Sequence, residues 1–164
     1  MATIHEGGCL CRAVRYRVHG APLRTLVCHC RFCQKVTGSS FHANSVFVME
    51  SIELTGFVGV YTHVSETSGQ GVHLHFCPVC ATTVSLTFER WPQYRAMSRG
   101  TFDDPGWLPV DAHIWTESAQ AGSVLPAGTD CYRRGRVDAD GTVQVPERFA
   151  TPVPVGLDQP QPAS

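Results

Sequence analysis

Short alternations of apolar and polar residues run through most of the chain. Residues 13–18, Ala-Val-Arg-Tyr-Arg-Val, put Val14, Tyr16 and Val18 on one side and Arg15 and Arg17 on the other, the period of a half-buried strand. Segments 45–49, 52–55, 58–61, 72–76, 82–88 and 113–115 are further short β-like runs, separated by Gly, Pro and Ser. One stretch reads as helix, residues 31–37, with Gly38 placed to adopt the left-handed conformation that ends a helix. Asp140-Gly141, between Val137 and Val143, predicts a hairpin turn. The pattern predicts a mainly β fold of short antiparallel strands with one short helix. It reads as a single domain over residues 1–150, followed by a Pro-rich mobile tail over 151–164.

Charge and composition narrow the partners. Among 164 residues the formal net charge is −1, and the densest basic stretch, Arg133-Arg134-Gly135-Arg136, is too short for a nucleic-acid surface. No apolar run approaches the roughly 20 residues of a membrane span. The sequence therefore predicts neither nucleic acid nor membrane as a partner. The N-terminal residues carry no apolar signal region, so a reducing, cytoplasmic setting is expected.

That setting matters because seven of the eight cysteines fall into three clusters: Cys9 and Cys11; Cys28, Cys30 and Cys33; Cys77 and Cys80. In a reducing compartment, clustered thiols are metal ligands more often than disulfides. Thiolates so spaced converge on a soft cation, usually zinc. Four close a tetrahedral structural site and three leave a position open, so seven suggest one closed and one open site, with two Zn2+ per chain. Spacing alone leaves open which pairs combine, since Cys9 and Cys11 could join either of the other clusters. On a strand, Cys9 and Cys11 would share a face, as would His73 and His75 just before Cys77. The histidines read as surface or supporting groups, because cysteines already fill four places. Cys131 stands alone and reads as an inert buried thiol.

Cys28, Cys30 and Cys33 form the candidate open site. A helix beginning there would aim backbone N–H groups at the sulfurs and favour thiolates. A cation held by three thiolates suits another sulfur in its fourth place better than a strongly acidified water. The alternative is a second closed site completed by His29, His42 or His113. Arg31, Gln34 and Lys35 flank the cluster and are candidates for binding the carboxylates of a small peptide-like thiol. No nucleophile elbow, phosphate loop or dinucleotide fingerprint occurs.

The clusters and their surroundings resemble a known family. Gly7-Gly8-Cys9-Leu10-Cys11 with Ala13-Val14-Arg15-Tyr16, Cys28-His29-Cys30-Arg31-Phe32-Cys33-Gln34-Lys35 with Gly38-Ser39-Ser40-Phe41, and Phe76-Cys77-Pro78-Val79-Cys80 are similar to three motifs of the glutathione-dependent formaldehyde-activating enzymes, which include centromere protein V. Gly100-Thr101-Phe102-Asp103-Asp104-Pro105 and His113-Ile114-Trp115 resemble the family's last block, so the likeness spans about residues 6–118. The resemblance implies a β-tent fold with zinc sites at turns. It further implies a structural zinc on Cys9, Cys11, Cys77 and Cys80, a catalytic zinc on Cys28, Cys30 and Cys33, and carbon–sulfur lyase chemistry joining glutathione to formaldehyde. Arg12 and Ala81 stand where the family usually has glycine. The competing readings are a zinc-stapled binding module without chemistry and a thiol-based redox or metal sensor.

Overall fold

A computed structural model describes residues 3–156. It is mainly β. The strands are β1 (Ile4–Gly8), β2 (Arg15–His19), β3 (Arg24–Cys28), β4 (His42–Val48), β5 (Ile52–Thr55), β6 (Gly59–Val64), β7 (Gly71–Phe76) and β8 (Thr83–Phe88), then β9 (Tyr94–Ser98), β10 (Ala112–Ile114), β11 (Val124–Leu125), β12 (Asp130–Tyr132) and β13 (Val153–Pro154). The α-helix, α1 (Arg31–Thr37), ends at Gly38, whose φ of 63° is the left-handed cap expected there. The predicted hairpin is present too, with Val137 bridged to Val143 across Gly141 at φ 93°.

The chain forms two compact units, residues 3–25 with Asn44–Pro109, and Leu26–Ala43 with residues 110–156. In the first, β2 lies between β1 and β5, all antiparallel, with Tyr16 opposite Gly7 and Leu54. A second antiparallel run pairs the Asn44–Val48 part of β4 with β9, β9 with β8, β8 with β7 and β7 with β6. The alternation read from residues 13–18 works as expected: Val14, Tyr16 and Val18 are buried with Phe47, Val84, Met97, Phe102 and Leu108. Each fully buried valine stabilises this core by about 1.5–3 kcal/mol. Tyr16 also makes an edge contact to Phe102 and a 2.9 Å hydrogen bond to Thr101. Gly7 makes room for that phenol, since a Cβ there would stand 2.3 Å from its oxygen.

In the second unit β10 runs parallel to both β3 and β12, a departure from the antiparallel expectation. Its register sets His113 opposite Val27 and Ile114 opposite Cys28. A small core of Ala119, Leu125, Cys131 and Val155 lies beneath Phe149 and Val153. Residues 151–156, expected to open the mobile tail, include β13, which pairs with β11, and the buried Val155. The rest of that tail, 157–164, lies outside the described residues. Among the described residues no helix is long and apolar enough to cross a membrane.

Candidate metal centres and thiol site

Two groups of thiols converge, one in each unit, and within each all sulfurs lie within 4.8 Å of one another. Cys9, Cys11, Cys77 and Cys80 form the first. Cys9 and Cys11 are in a turn after β1, not on a strand face as the spacing had suggested. The Arg12 N–H closes this turn on the Cys9 carbonyl at 3.0 Å, and the Val14 N–H points at the Cys9 sulfur at 3.2 Å. The second turn repeats the plan, with the Ala81 N–H on the Cys77 carbonyl at 2.8 Å. A bulge between His75 and Phe76 precedes it. Closing each turn takes a left-handed residue, and these are Arg12 (φ 66°) and Ala81 (φ 59°). Thr82 joins the turns: its hydroxyl accepts from the Leu10 N–H at 3.2 Å and lies 3.2 Å from the Cys80 sulfur.

Sulfur separations of 3.5 Å for Cys9–Cys11 and 3.7 Å for Cys11–Cys77 test the fit of a metal ion. Four thiolates at zinc–sulfur distance stand about 3.8 Å apart around a tetrahedron. The donor set therefore fits a single zinc-sized cation. Hydrogen bonds from the Thr82 hydroxyl and backbone lower the Cys80 thiol to about 5. Cys11 has a backbone hydrogen bond from Ala13, but the neighbouring Cys80 sulfur holds it up at about 12. Without a cation, one thiolate suppresses the next; a dication removes that opposition. His73 and His75 are not among the converging ligand atoms: His73 Nδ1 meets Thr62 and His75 Nε2 meets Thr87, each at 2.9 Å.

The second group is built where β3 ends. Cys28 is its last residue, Cys30 caps α1, and Cys33 is in the first turn. The Cys30 sulfur accepts from the Cys33 N–H at 3.4 Å and from the Cys28 thiol at 3.3 Å. The thiols of Cys28 and Cys33, then the N–H groups of Cys33 and Phe32, bring Cys30 down to about 3. Cys28 and Cys33, beside that thiolate, are held well above their ordinary value. Backbone donors at the helix start thus add to the thiols in favouring one thiolate, Cys30, and the expectation does not extend to the other two sulfurs.

The ligand atoms that converge here are three sulfurs, with no histidine nitrogen among them. His29 is buried, and its Nε2 lies 3.0 Å from His113 Nδ1. Burial first, then His113, lowers His29 to about 4; burial lowers His42 to about 4 and also lowers His113. All three rings are neutral near pH 7. Their pairing had no signal in the sequence, because the parallel register that sets His113 beside His29 spans 84 residues.

Of the flanking candidates, Gln34 is not available to a ligand. It is buried, its amide nitrogen donates to the carbonyls of His29 (2.6 Å) and Ser118 (2.8 Å), and its oxygen accepts from Gln120 (2.9 Å) and Arg31. Gln34 therefore braces the cysteine loop. Arg31 and Lys35 are exposed on α1, and among the described residues no hydrogen bond or ion pair engages Lys35.

The chain is similar to known proteins. A family model described as "Glutathione-dependent formaldehyde-activating enzyme" matches residues 4–118, which contain all seven clustered cysteines. A Halomonas elongata protein named "Putative glutathione-dependent formaldehyde-activating enzyme" is 31% identical over 94 residues, 54% of this chain and 59% of that protein. The chain thus matches somewhat over half the length of this relative. A solved structure of a Rhodobacter sphaeroides protein covers 64% of this chain and 98% of its own, at 17% identity and a TM-score of 0.49. With the match running through both thiol groups, the chain belongs to the glutathione-dependent formaldehyde-activating enzyme family.

Proposed function

We propose that the protein joins a small thiol of the glutathione type to an aldehyde, with formaldehyde as the family's example, as a zinc-dependent carbon–sulfur lyase in the cytoplasm. The observation that carries this reading is the difference between the two thiol groups: one supplies four sulfurs, the other only three. Zinc on Cys9, Cys11, Cys77 and Cys80 is structural. Cys28, Cys30 and Cys33 would hold the second zinc, whose soft open position supplies a place for a thiol sulfur or a polarised carbonyl oxygen.

The reaction forms one carbon–sulfur bond. The thiol sulfur attacks the carbonyl carbon, the carbon–oxygen π pair goes to oxygen, and the thiol proton ends on that oxygen, giving an S-hydroxymethyl product without oxidant or reductant. The chain's own groups prepare this step. Gln34 fixes the loop that carries Cys28, Cys30 and Cys33 by bonding the His29 carbonyl from within the helix. The neutral His29 adds no positive charge beside the thiolates. Lys35, exposed and without an ion-pair partner among the described residues, is the cation best placed on α1 to meet a substrate carboxylate, with Arg31 one turn away.

The test follows adduct formation from glutathione and formaldehyde by NMR in the fully metallated protein. Catalysis above the spontaneous rate, with two zinc ions per chain, is the expected result. No acceleration, with two zinc ions indifferent to added thiol, would favour the zinc-stapled binding module instead.

A further inference from the structure

Three buried polar atoms on the face of β7, β8 and β9 have no hydrogen-bond partner among the described residues: His75 Nδ1, Ser85 Oγ and Arg95 Nε. The ladder brings them together. His75 pairs with Ser85, and Thr87 pairs with Arg95. Positions two apart on a strand share a face, so all four side chains belong to one surface of the first unit. The 2.9 Å contact between His75 Nε2 and Thr87 Oγ1 links the two rows.

Arg95 stands out among the arginines. Arg15, Arg17, Arg134 and Arg148 each meet a carboxylate, on Asp103, Glu6, Glu117 and Asp130. Arg95 is half-buried, and no carboxylate or hydrogen-bond acceptor engages its guanidinium among the described residues. A guanidinium taken out of water without a counter-ion is unfavourable, and its planar fork matches a carboxylate or phosphate. Glu89, just past the end of β8 and two residues beyond Thr87, is already engaged, by the Gly71 N–H at 2.6 Å and by His73 at 4.0 Å. The other orphan atoms are also potential donors. With the Thr87 hydroxyl donating to His75 Nε2, the neutral ring carries its proton on Nδ1, and the Ser85 hydroxyl can rotate to donate. A cluster of donors around an unpaired cation calls for a negatively charged acceptor.

We propose that this face binds a small oxyanion, a carboxylate or a phosphate group, on the Arg95 guanidinium with the Ser85 hydroxyl and His75 Nδ1–H as further donors. The site uses no cysteine and stands independently of the thiol–aldehyde reaction.

The experiment titrates inorganic phosphate or acetate into the full, metal-loaded chain, with chloride holding the ionic strength constant. Thermal unfolding and the Arg95 Nε–H NMR resonance are followed together. Binding to the folded state raises the midpoint with saturation, and the resonance shifts along the same curve. Arg95→Met is expected to unfold no earlier than the natural chain in chloride alone and to lose the response. Arg95→Lys, which keeps the charge but not the fork, is expected to bind about tenfold more weakly. A response to acetate but not phosphate assigns a carboxylate-bearing ligand, and the reverse assigns a phosphate-bearing one. An unmoved midpoint and resonance in both anions overturns the proposal. So does an Arg95→Met variant that unfolds earlier in chloride yet keeps the full response, which would make Arg95 a structural residue. If Arg95→Met does not fold, the resonance of the natural chain and the Arg95→Lys affinity decide.

Discussion

Arg12 and Ala81 occupy left-handed backbone at equivalent points of two similar turns, each carrying a Cβ in a conformation that crowds it. The strain is about 1–2 kcal/mol per residue. A glycine relieves it but adds about 0.4–1 kcal/mol of unfolded-state entropy to overcome. Arg12→Gly and Ala81→Gly are therefore each expected to stabilise the metal-loaded protein by up to about 1.5 kcal/mol, read from denaturant unfolding with metal content unchanged. Gln34 behaves oppositely. Removing its amide strands the carbonyls of His29 and Ser118 and frees Gln120 from its acceptor. Gln34→Ala is expected to cost about 2–4 kcal/mol, since each abandoned buried group costs about 1–3 kcal/mol. A loss below about 1 kcal/mol would mean that Gln34 does not brace the loop. The residue scale is also where sequence reading was weakest. The cysteines were legible because their chemistry is written in their spacing. The role of Gln34 was not, because two of its partners, Ser118 and Gln120, are more than 80 residues away.

Among the elements, α1 was legible to the residue, since one glycine in left-handed backbone marks its end. Strand β2 was legible because its two faces meet different surroundings. Strands β1, β3 and β9 escaped notice for physical reasons. Ile-His-Glu-Gly-Gly has too little apolar character, β3 runs straight into the cysteine cluster, and Tyr-Arg-Ala-Met-Ser alternates weakly. Helix α1 also offers a clean separation of structure from ligand binding. Serine caps a helix well, so Cys30→Ser is expected to keep α1 while removing the one thiol of its group that is held low. Metal analysis should fall from two ions to one per chain, with the far-ultraviolet circular dichroism unchanged. Retention of both ions would show that Cys30 is dispensable as a ligand.

At the scale of the whole molecule, the short final strand closes the second unit's core. Ending the chain at Thr151 removes β13 and Val155, which packs with Leu125 and Cys131. The loss of Val155 burial alone is about 1.5–3 kcal/mol. The truncated protein is expected to melt earlier and to expose Cys131, now 1% accessible, to thiol-labelling reagents in the folded state. Unchanged labelling would show that the core closes without its last strand. Two similar turns whose four sulfurs can hold one cation make the other large-scale feature, and with zinc bound there as proposed, chelator-treated protein should lose the cooperative unfolding of the first unit.

Cys11 and Cys77 are 66 positions apart, yet their sulfurs lie 3.7 Å from each other. Joining points so distant removes about 4 kcal/mol of chain entropy from the unfolded ensemble if the clip is treated as a crosslink. Unlike a disulfide, such a clip needs no oxidant and opens when its ion is withdrawn. It also sets an order of events during synthesis. The turn that carries Cys9 and Cys11 leaves the ribosome long before Cys77 and Cys80, so it has only half its ligands until the chain has grown past residue 80. Under the proposed zinc occupancy, the clip can form only after residue 80 has been made, with β8 and β9 of the first unit still to follow.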